Sequence, residues 1–314
     1  MQREKNIIYS IIIPHKNIPE LLIRCIESIP SKNDIEIIVV DDNSDSIILK
    51  SANLQSLNEK YSNLSFIYTT ENKGAGYARN IGLQQAKGKW IIFADADDFF
   101  HNNFYSFIEK YKNEKKDVVY FHTYSLTSDT LAKVNNREDI FDLYLKKQDI
   151  NLLKYVSHSV WGKMFSKDFI DKHNIRCDET PASNDVLFSG LVGIYANNIQ
   201  IDNNKLYCCT VRKGSICTKI NQKNVEARIQ VATNYNNILK NHSINVKYWM
   251  NTFGPIISLI KIDYTKGFKY LLKYLCETHI KRIYLDLMQS GNRFVKRIIG
   301  KNSDKEFRKL QSTQ

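Results

Sequence analysis

Three carboxylates, Asp95, Asp97 and Asp98, fall within four residues at the end of an apolar run from Trp90 to Ala94. Like charges this close raise one another's pKa, and a divalent cation removes that penalty. Hard cations such as Mn2+ and Mg2+ take oxygen ligands and commonly share one or two carboxylates with a substrate's phosphates. A solvated acidic turn or a helix N-cap is the alternative for the same triplet. Asp41 and Asp42 close another apolar run, where a carboxylate can accept hydrogen bonds from a ribose or a base edge. The segment Asn72-Lys73-Gly74-Ala75-Gly76-Tyr77-Ala78-Arg79-Asn80 opens a helical stretch. Its glycines permit close backbone approach, a helix N-terminus favours anions, and the Arg79 guanidinium can fork onto a diphosphate. It lacks the third glycine of a dinucleotide fingerprint, and a packing turn would use the same residues.

The elements that must position these groups alternate. Tyr9 to Pro14 is a β-branched run stopped by proline, and Ile35 to Val40 is a second apolar run. Leu64 to Tyr68 and Trp90 to Ala94 follow as third and fourth strands, with helical spacing over Pro19 to Ile29 and Gly76 to Ala86 between them. Strands separated by helices predict a parallel α/β sheet, and continuous apolar strands predict one covered on both faces. Ligands of such sheets bind beyond the carboxyl ends of the strands, where every polar cluster above lies. A fifth strand is predicted from Asp117 to Tyr124, a polar loop from Ser128 to Asp139, and a late strand from Leu206 to Val211. Helical and mixed segments lie between that loop and the late strand, and helical periodicity runs on beyond Asn221.

Of the 314 residues, 43% are hydrophobic and 25% charged, a soluble globular balance that excludes large-scale disorder. Cys25, Cys177, Cys208, Cys209, Cys217 and Cys276 show neither zinc-ligand nor disulfide-framework spacing, so reduced cytosolic thiols are expected. Met1-Gln2-Arg3-Glu4-Lys5 runs straight into a strand-like segment without a secretory signal, and no apolar stretch approaches the ~20 residues of a spanning helix. The net charge of +12 is concentrated: Lys240 to Gln314 holds 15 Lys and Arg against 5 Asp and Glu. That asymmetry predicts an acidic partner for the tail.

The segments Ile11-Ile12-Ile13-Pro14, Val39-Val40-Asp41-Asp42-Asn43-Ser44, Asn72 to Asn80 and Gly88 to Asp98, in this order, resemble the family 2 glycosyltransferases of the GT-A fold. The resemblance is tight over about the first hundred residues. It implies an α/β GT-A catalytic domain over 1–220, with a mostly parallel central sheet, a nucleotide-sugar half at 1–100 and an acceptor half at 101–220. A basic helical region then occupies 221–314. It also implies a nucleotide-diphosphate-sugar donor, a UDP-sugar in our reading, and inversion at the anomeric carbon. By matching position Pro14 and Asp41 line the nucleoside pocket with Asn72 beside the base, and Arg79 lies near the diphosphate. Asp95 approaches the ribose or the metal, Asp97 ligates Mn2+ or Mg2+, and Asp98 supports them from behind.

A weaker match covers Trp161-Gly162-Lys163-Met164-Phe165, Ser183-Asn184-Asp185 and Arg212-Lys213-Gly214-Ser215-Ile216. An inverting displacement needs a base for the acceptor hydroxyl. Asp185 is the candidate, with Asp178 and Glu179 as substitutes and helix capping as the structural alternative. Asn184 stands where the family usually carries an acid, and an amide cannot act as a base. Trp161 and Lys163 are assigned toward the acceptor, against a default core role for the tryptophan. Lys16 could contact the donor, His101 could reach the metal, and His122 and His158 are read as structural.

In the tail Tyr248, Trp249, Phe253, Tyr264, Phe268, Tyr270, Tyr274, Tyr284 and Phe294 alternate with basic residues. Such helices can lie on an anionic membrane or pack on a core, and no nucleic-acid module is recognisable. The expectation is a cytoplasmic enzyme, peripheral on the inner face of a bacterial membrane. It would extend a glycan or lipid-linked glycan during capsule or lipopolysaccharide synthesis. A catalytically degenerate sugar-binding member and a basic membrane-binding adaptor are the alternatives.

Overall fold

The computed structural model describes residues 6–51, 54–134, 140–212 and 221–288. Two compact units emerge, Met1–Lys219 and Ile220–Gln314.

The first unit is built on one eight-stranded sheet. Its strands are β1 (Tyr9–His15), β2 (Ile35–Asp41), β3 (Leu64–Tyr68), β4 (Trp90–Phe93), β5 (Phe99–Phe100), β6 (Val118–Thr127), β7 (Lys163–Ser166) and β8 (Ile199–Val211). They lie in the order β3-β2-β1-β4-β7-β6-β8-β5. The β3, β2, β1 and β4 strands are mutually parallel, whereas β7 runs antiparallel to both β4 and β6. Alternation along the strands explains their continuous apolar character. Ile11, Ile13, Ile37 and Val39 pack on one face with Leu22, Cys25 and Ile26 of helix α1 (Pro19–Glu27). Ile12, Ile38 and Val40 pack on the other, with residues that include Ala78 and Leu83 of α4 (Ala75–Gln85). Both faces are therefore dry, as a parallel sheet requires.

The remaining helices of this unit are α2 (Ser46–Ser51), α3 (Gln55–Lys60), α5 (Phe104–Glu109), α6 (Ile140–Lys147), α7 (Ile150–Tyr155), α8 (Lys167–Lys172) and α9 (Val186–Tyr195).

The structure departs from the sequence reading at several strands: β5 is a short strand that reading did not include, and β6 runs on to Thr127 rather than Tyr124. β1 does not stop at Pro14; it continues to His15, with Pro14 opposite Val40. The ladder with β4 has already ended at Ile12 and Phe93, so the proline lacks a proton where no partner strand would accept it. β7 is a central strand inside the stretch read as helical and mixed; at four residues it is too short to show a period. β8 begins at Ile199 rather than Leu206. Its polar first half, Asp202 to Lys205, coincides with irregular register against Phe121, His122 and Thr123, which breaks the alternation. Residues 128–134 form a turn with a bridge between Leu126 and Lys133, and 135–139 lie outside the described residues.

The second unit comprises α10 (Gln222–Asn241), a 3-10 turn (Val246–Tyr248), α11 (Phe253–Ile262), α12 (Tyr264–Glu277) and a helical segment at 280–288. Asn221 and Asp263 cap α10 and α12 by accepting from the backbone of Asn224 and Lys266. Val225, Ile229, Ile256, Leu259 and Tyr274 form its core. Among the described residues no helix is long and apolar enough to cross a membrane. Five cysteines are described, four of them buried and Cys276 exposed; Cys217, Phe294 and Lys213 to Ile216 lie outside the described residues.

Candidate active site

β4 is fully buried, and the chain leaves it directly into the acidic cluster. Carboxylate oxygens of Asp95, Asp97 and Asp98 all lie within 4.8 Å of one another. The three differ in surroundings. Asp98 is fully buried: its Oδ1 accepts from the Thr210 N–H at 2.6 Å and its Oδ2 from the Tyr207 hydroxyl at 3.0 Å. Burial, then the Asp95 and Asp97 charges, push the Asp98 carboxyl well above the ordinary range, against the pull of those two donors. Asp97 is half-buried, with Oδ2 accepting from Arg212 Nε at 2.8 Å. Its carbonyl accepts from Arg24 at 2.6 Å and from the Thr210 hydroxyl at 2.7 Å. Asp95 Oδ1 pairs with Arg79 at 2.6 Å, and its N–H donates to the Tyr207 hydroxyl. Among the described residues, Oδ2 of Asp95 and Oδ1 of Asp97 have no such partner. Two half-buried carboxylates therefore each keep one oxygen available, backed by a third carboxylate that is fully satisfied.

At the end of β2 the two aspartates hold the protein together. Asp41 accepts from His15 Nδ1 at 2.7 Å and from the N–H and hydroxyl of Ser44. His15 Nε2 in turn lies 3.2 Å from the Ile18 N–H, which donates to it. Burial alone would raise the Asp41 carboxyl; the bonds from His15 and Ser44 outweigh it and hold the carboxyl below its usual value. Asp42 accepts from the N–H groups of Lys73 and Gly74 at 3.0 and 2.9 Å, fixing the start of the glycine segment. Lys16 Nζ donates to the Asp42 carbonyl and to Asn72 Oδ1, at 2.8 and 2.5 Å. Pro14 is buried within β1.

The glycine segment has a packing role. Gly74 caps α4 with φ of +93°, a conformation that favours glycine. A Cβ on Gly76 would stand 1.9 Å from the Asp178 carbonyl oxygen and 3.0 Å from Asn184 Cβ. Its close approach is thus to the loop that carries Asn184 and Asp185. Asn80 ties the same loop by exchanging hydrogen bonds with the Cys177 backbone at 3.0 and 2.9 Å. Arg79 is buried and forks, one arm on Asp95 Oδ1 and the other on Asn184 Oδ1, both at 2.6 Å. Burial opposes its charge, but Asp95 and, more weakly, Asp185 raise its pKa. The sequence reading has Arg79 fork onto a diphosphate; in the structure its two arms are taken by Asp95 and Asn184, a buried strut between the acidic cluster and the 178–185 loop.

Asn184 therefore does chemistry open to an amide, accepting a hydrogen bond without adding another negative charge. Asp185 occupies the N-cap position of α9, yet its side chain makes no capping bond. Burial raises its pKa; Arg79 opposes that and Asp95 adds to it. Asp178 is also raised by burial, and Glu179 receives a long contact from Asn80.

Other expected site residues face inward. Trp161 is buried and stacks on Tyr207, ring centroids 5.7 Å apart. Lys163 is buried, its ammonium donating to the Ser157 and Ser159 carbonyls at 2.6 Å each and lying over Tyr120. His101 accepts from the Asn103 N–H and packs on Phe107 and Tyr124. His122 pairs with Asp142 and stacks on Phe141, while His158 contacts the Tyr155 carbonyl. Sequence reasoning missed Arg24, Tyr207 and Thr210. Arg24 lies on the polar side of α1 with nothing to single it out, and Tyr207 and Thr210 reach the cluster only because β8 returns beside β5.

The arrangement, a carboxylate cluster tied by a buried arginine to the loop that carries a desolvated carboxylate, suits departure of a phosphate-bearing group and proton removal from a hydroxyl. The family model for "Glycosyl transferase family 2" matches residues 10–173, more than half of the chain. Glycosyltransferase GlyA of Streptococcus pneumoniae is 25% identical over 249 residues, covering 74% of this chain and 34% of that protein. Cholesterol galactosyltransferase of Borreliella burgdorferi is 28% identical over 203 residues, covering 60% and 55%. The chain thus spans a third to about half the length of these relatives. Among solved structures, S. aureus TarS 1–349 in complex with UDP-GlcNAc aligns with a TM-score of 0.56 at 18% identity, covering 88% of this chain and 77% of that one. The mannosyltransferase PcManGT of Pyrobaculum calidifontis, in complex with GDP-Man and Mn2+, aligns at 0.54 and 12%, covering 91% and 80%. With this sheet and this match, the chain belongs to glycosyl transferase family 2 and is a glycosyltransferase of the GT-A fold.

Proposed function

We propose that the enzyme transfers a sugar, with inversion, from a UDP-linked donor to a hydroxyl of a glycan or lipid-linked glycan in bacterial surface polysaccharide synthesis. It would do so on the inner face of the membrane. The observation that carries this reading is the Asp95-Arg79-Asn184 strut, which ties a carboxylate cluster to the loop presenting Asp185. UDP is favoured because TarS, the higher-scoring of the two structural neighbours above, holds UDP-GlcNAc.

A divalent cation fits the cluster on its donor chemistry: all-oxygen ligands, closely spaced, with one oxygen each of Asp95 and Asp97 available. Asp97 and Asp95 would hold Mn2+ or Mg2+, and when bound the ion would act as a Lewis acid toward the leaving diphosphate. Asp98 keeps the cluster in place through Tyr207 and Thr210. Lys16, Asn72, Asp41 and Pro14 form the frame of the nucleoside end. Asp185 takes the proton of the acceptor hydroxyl as its oxygen bonds to the anomeric carbon; a pKa raised by burial makes it a stronger base.

Release of UDP from a panel of UDP-sugars with Mn2+ and glycan acceptors tests the reading. Turnover abolished in Asp97→Ala and in Asp185→Asn supports it. Nucleotide binding without turnover across the panel would instead identify a sugar-binding member without activity.

A further inference from the structure

The C-terminal unit carries more apolar surface than its own core uses. On α12, Gly267 and Tyr274 are buried, with Tyr270 and Leu271 beside the core. Close packing is built in here: a Cβ on Gly267 would meet Ile260 N at 2.5 Å. A second face of the same helix is also apolar but faces outward. Tyr264, Phe268, Leu272 and Leu275 are 43–68% exposed. At about 100° per residue they share one arc roughly 80° wide, and Lys266, Lys269 and Lys273 fall in the arc beside it. Three arcs on one helix, for core, outward apolar residues and lysines, exceed what packing on a single partner needs.

The pattern repeats in the next segment. Ile280, Tyr284, Leu287 and Met288 are 50–77% exposed, while Arg282 and Asp286 are buried and paired. Tyr274 donates to Asp286 Oδ2 at 2.8 Å and Arg282 donates to the Trp249 carbonyl at 2.6 Å. Residues 280–288 are thereby fixed to α12 and to the end of the 3-10 turn, so these side chains are held outward by a buried polar anchor. Beside them an open groove of about 440 Å³ is lined by Val246, Lys247, Ile280, Lys281, Tyr284 and Leu285.

We propose that this surface, the outward arcs of α12 and of residues 280–288 with their flanking lysines, docks on an anionic lipid bilayer. Single exposed apolar residues are ordinary, but eight on two consecutive helical segments mark an interaction surface. Aliphatic and aromatic side chains beside a lysine arc are the composition of a helix lying in a membrane interface. Charge selects the occupant. The region from Lys240 onward carries 15 basic against 5 acidic residues, so two copies meeting through it would repel, whereas anionic headgroups attract it. The inference stands on this unit alone and needs no particular donor chemistry.

The test uses the full chain and vesicles of phosphatidylglycerol and phosphatidylcholine at about 3:7, against phosphatidylcholine alone. Cosedimentation is expected with the anionic vesicles, weaker with neutral ones and weaker in high salt. Phe268→Ser with Leu272→Ser should lower partitioning at least about tenfold, because both remove apolar surface that would leave water in the interface. Lys269→Glu with Lys273→Glu should also lower it at least about tenfold, since each reverses an attraction to anionic headgroups. All four positions are exposed, so both variants should keep the parent's circular dichroism and melting temperature. A polarity-sensitive fluorophore on the exposed Cys276, with Cys276→Ser as control, should shift to the blue on vesicle addition. No binding to anionic vesicles, or binding unchanged in both variants, overturns the proposal. So does a concentration-dependent dimer that the serine variant abolishes without vesicle binding. UDP binding, measured in parallel, should be equal in parent and variants; its absence would count against the donor reading alone.

Discussion

Replacing Arg79 by methionine keeps the aliphatic length and removes both arms of the strut. Each arm is a charge-assisted hydrogen bond of 2.6 Å, and such bonds contribute ~1.5–3 kcal/mol, giving a ceiling of ~3–6 kcal/mol for the pair. Two effects lower it. The Asp95 side chain is 28% exposed and can recover water, and the guanidinium, at 6%, forgoes hydration in the native protein. A loss of about 2–3 kcal/mol remains. For a unit of this size that lowers Tm by roughly 4–12 °C, measurable by calorimetry or urea titration. Arg79→Lys should recover less than half, because an ammonium cannot fork onto two acceptors on opposite sides. With Arg79 gone, the Asp185 carboxyl rises further, so the acid limb of turnover should move to higher pH. A loss below about 0.5 kcal/mol, or full stability in Arg79→Lys, would show that the strut does not hold these segments together.

Gly76→Ala should destabilise by ~1–3 kcal/mol, because its Cβ meets a backbone oxygen at 1.9 Å, and it should impair turnover by displacing Asp185. Gly74→Ala meets nothing within 4 Å, but φ of +93° with ψ of 179° is essentially a glycine-only conformation, so it should cost ~1–3 kcal/mol in backbone strain, read by urea titration, without the displacement of Asp185 expected in Gly76→Ala. Asp185→Asn should lower kcat about 10²–10⁴-fold while leaving UDP affinity unchanged, and an unaltered kcat would remove it as the base. Burial pushes the His158 imidazole down to about 4, helped by Lys163. Between pH ~6.5 and ~4 the unfolded chain therefore binds a proton that the native state does not, and stability falls as pH falls through that window. At about pH 4.5 the contribution lost is roughly 2–3 kcal/mol, so His158→Gln should lose correspondingly less than the parent between pH 7 and 4.5.

The strand ends were readable because apolar runs that stop abruptly at Asp41 and at Asp95 leave a buried sheet at defined points. Side-chain roles at those points were less readable, since they depend on groups far apart in sequence. Asp98 looks like its neighbours until Thr210 and Tyr207 arrive from β8. Arg79 reads as a free cation until the loop holding Asn184 closes on it. Trp161 and Lys163 carry residue types common in sugar sites, yet Trp161 is buried against Tyr207 and Lys163 is buried at the start of β7, between β4 and β6. The polar, irregular start of β8 hid that strand, and no local signal marks Arg24. In the tail the sequence showed basic and aromatic residues together, but only the packing of α12 separates Tyr274, which is buried, from Tyr264 and Phe268, which are not.

Calorimetric titration of UDP into the full chain, with Mn2+ and then with excess EDTA, tests the central claim most directly. Binding should require the metal, weakening at least about tenfold in EDTA and in Asp97→Ala, and should persist in Asp185→Asn. Equal affinity in EDTA, or an Asp185→Asn variant that loses UDP as completely as Asp97→Ala, would contradict the division of this site into a donor-holding cluster and a separate base.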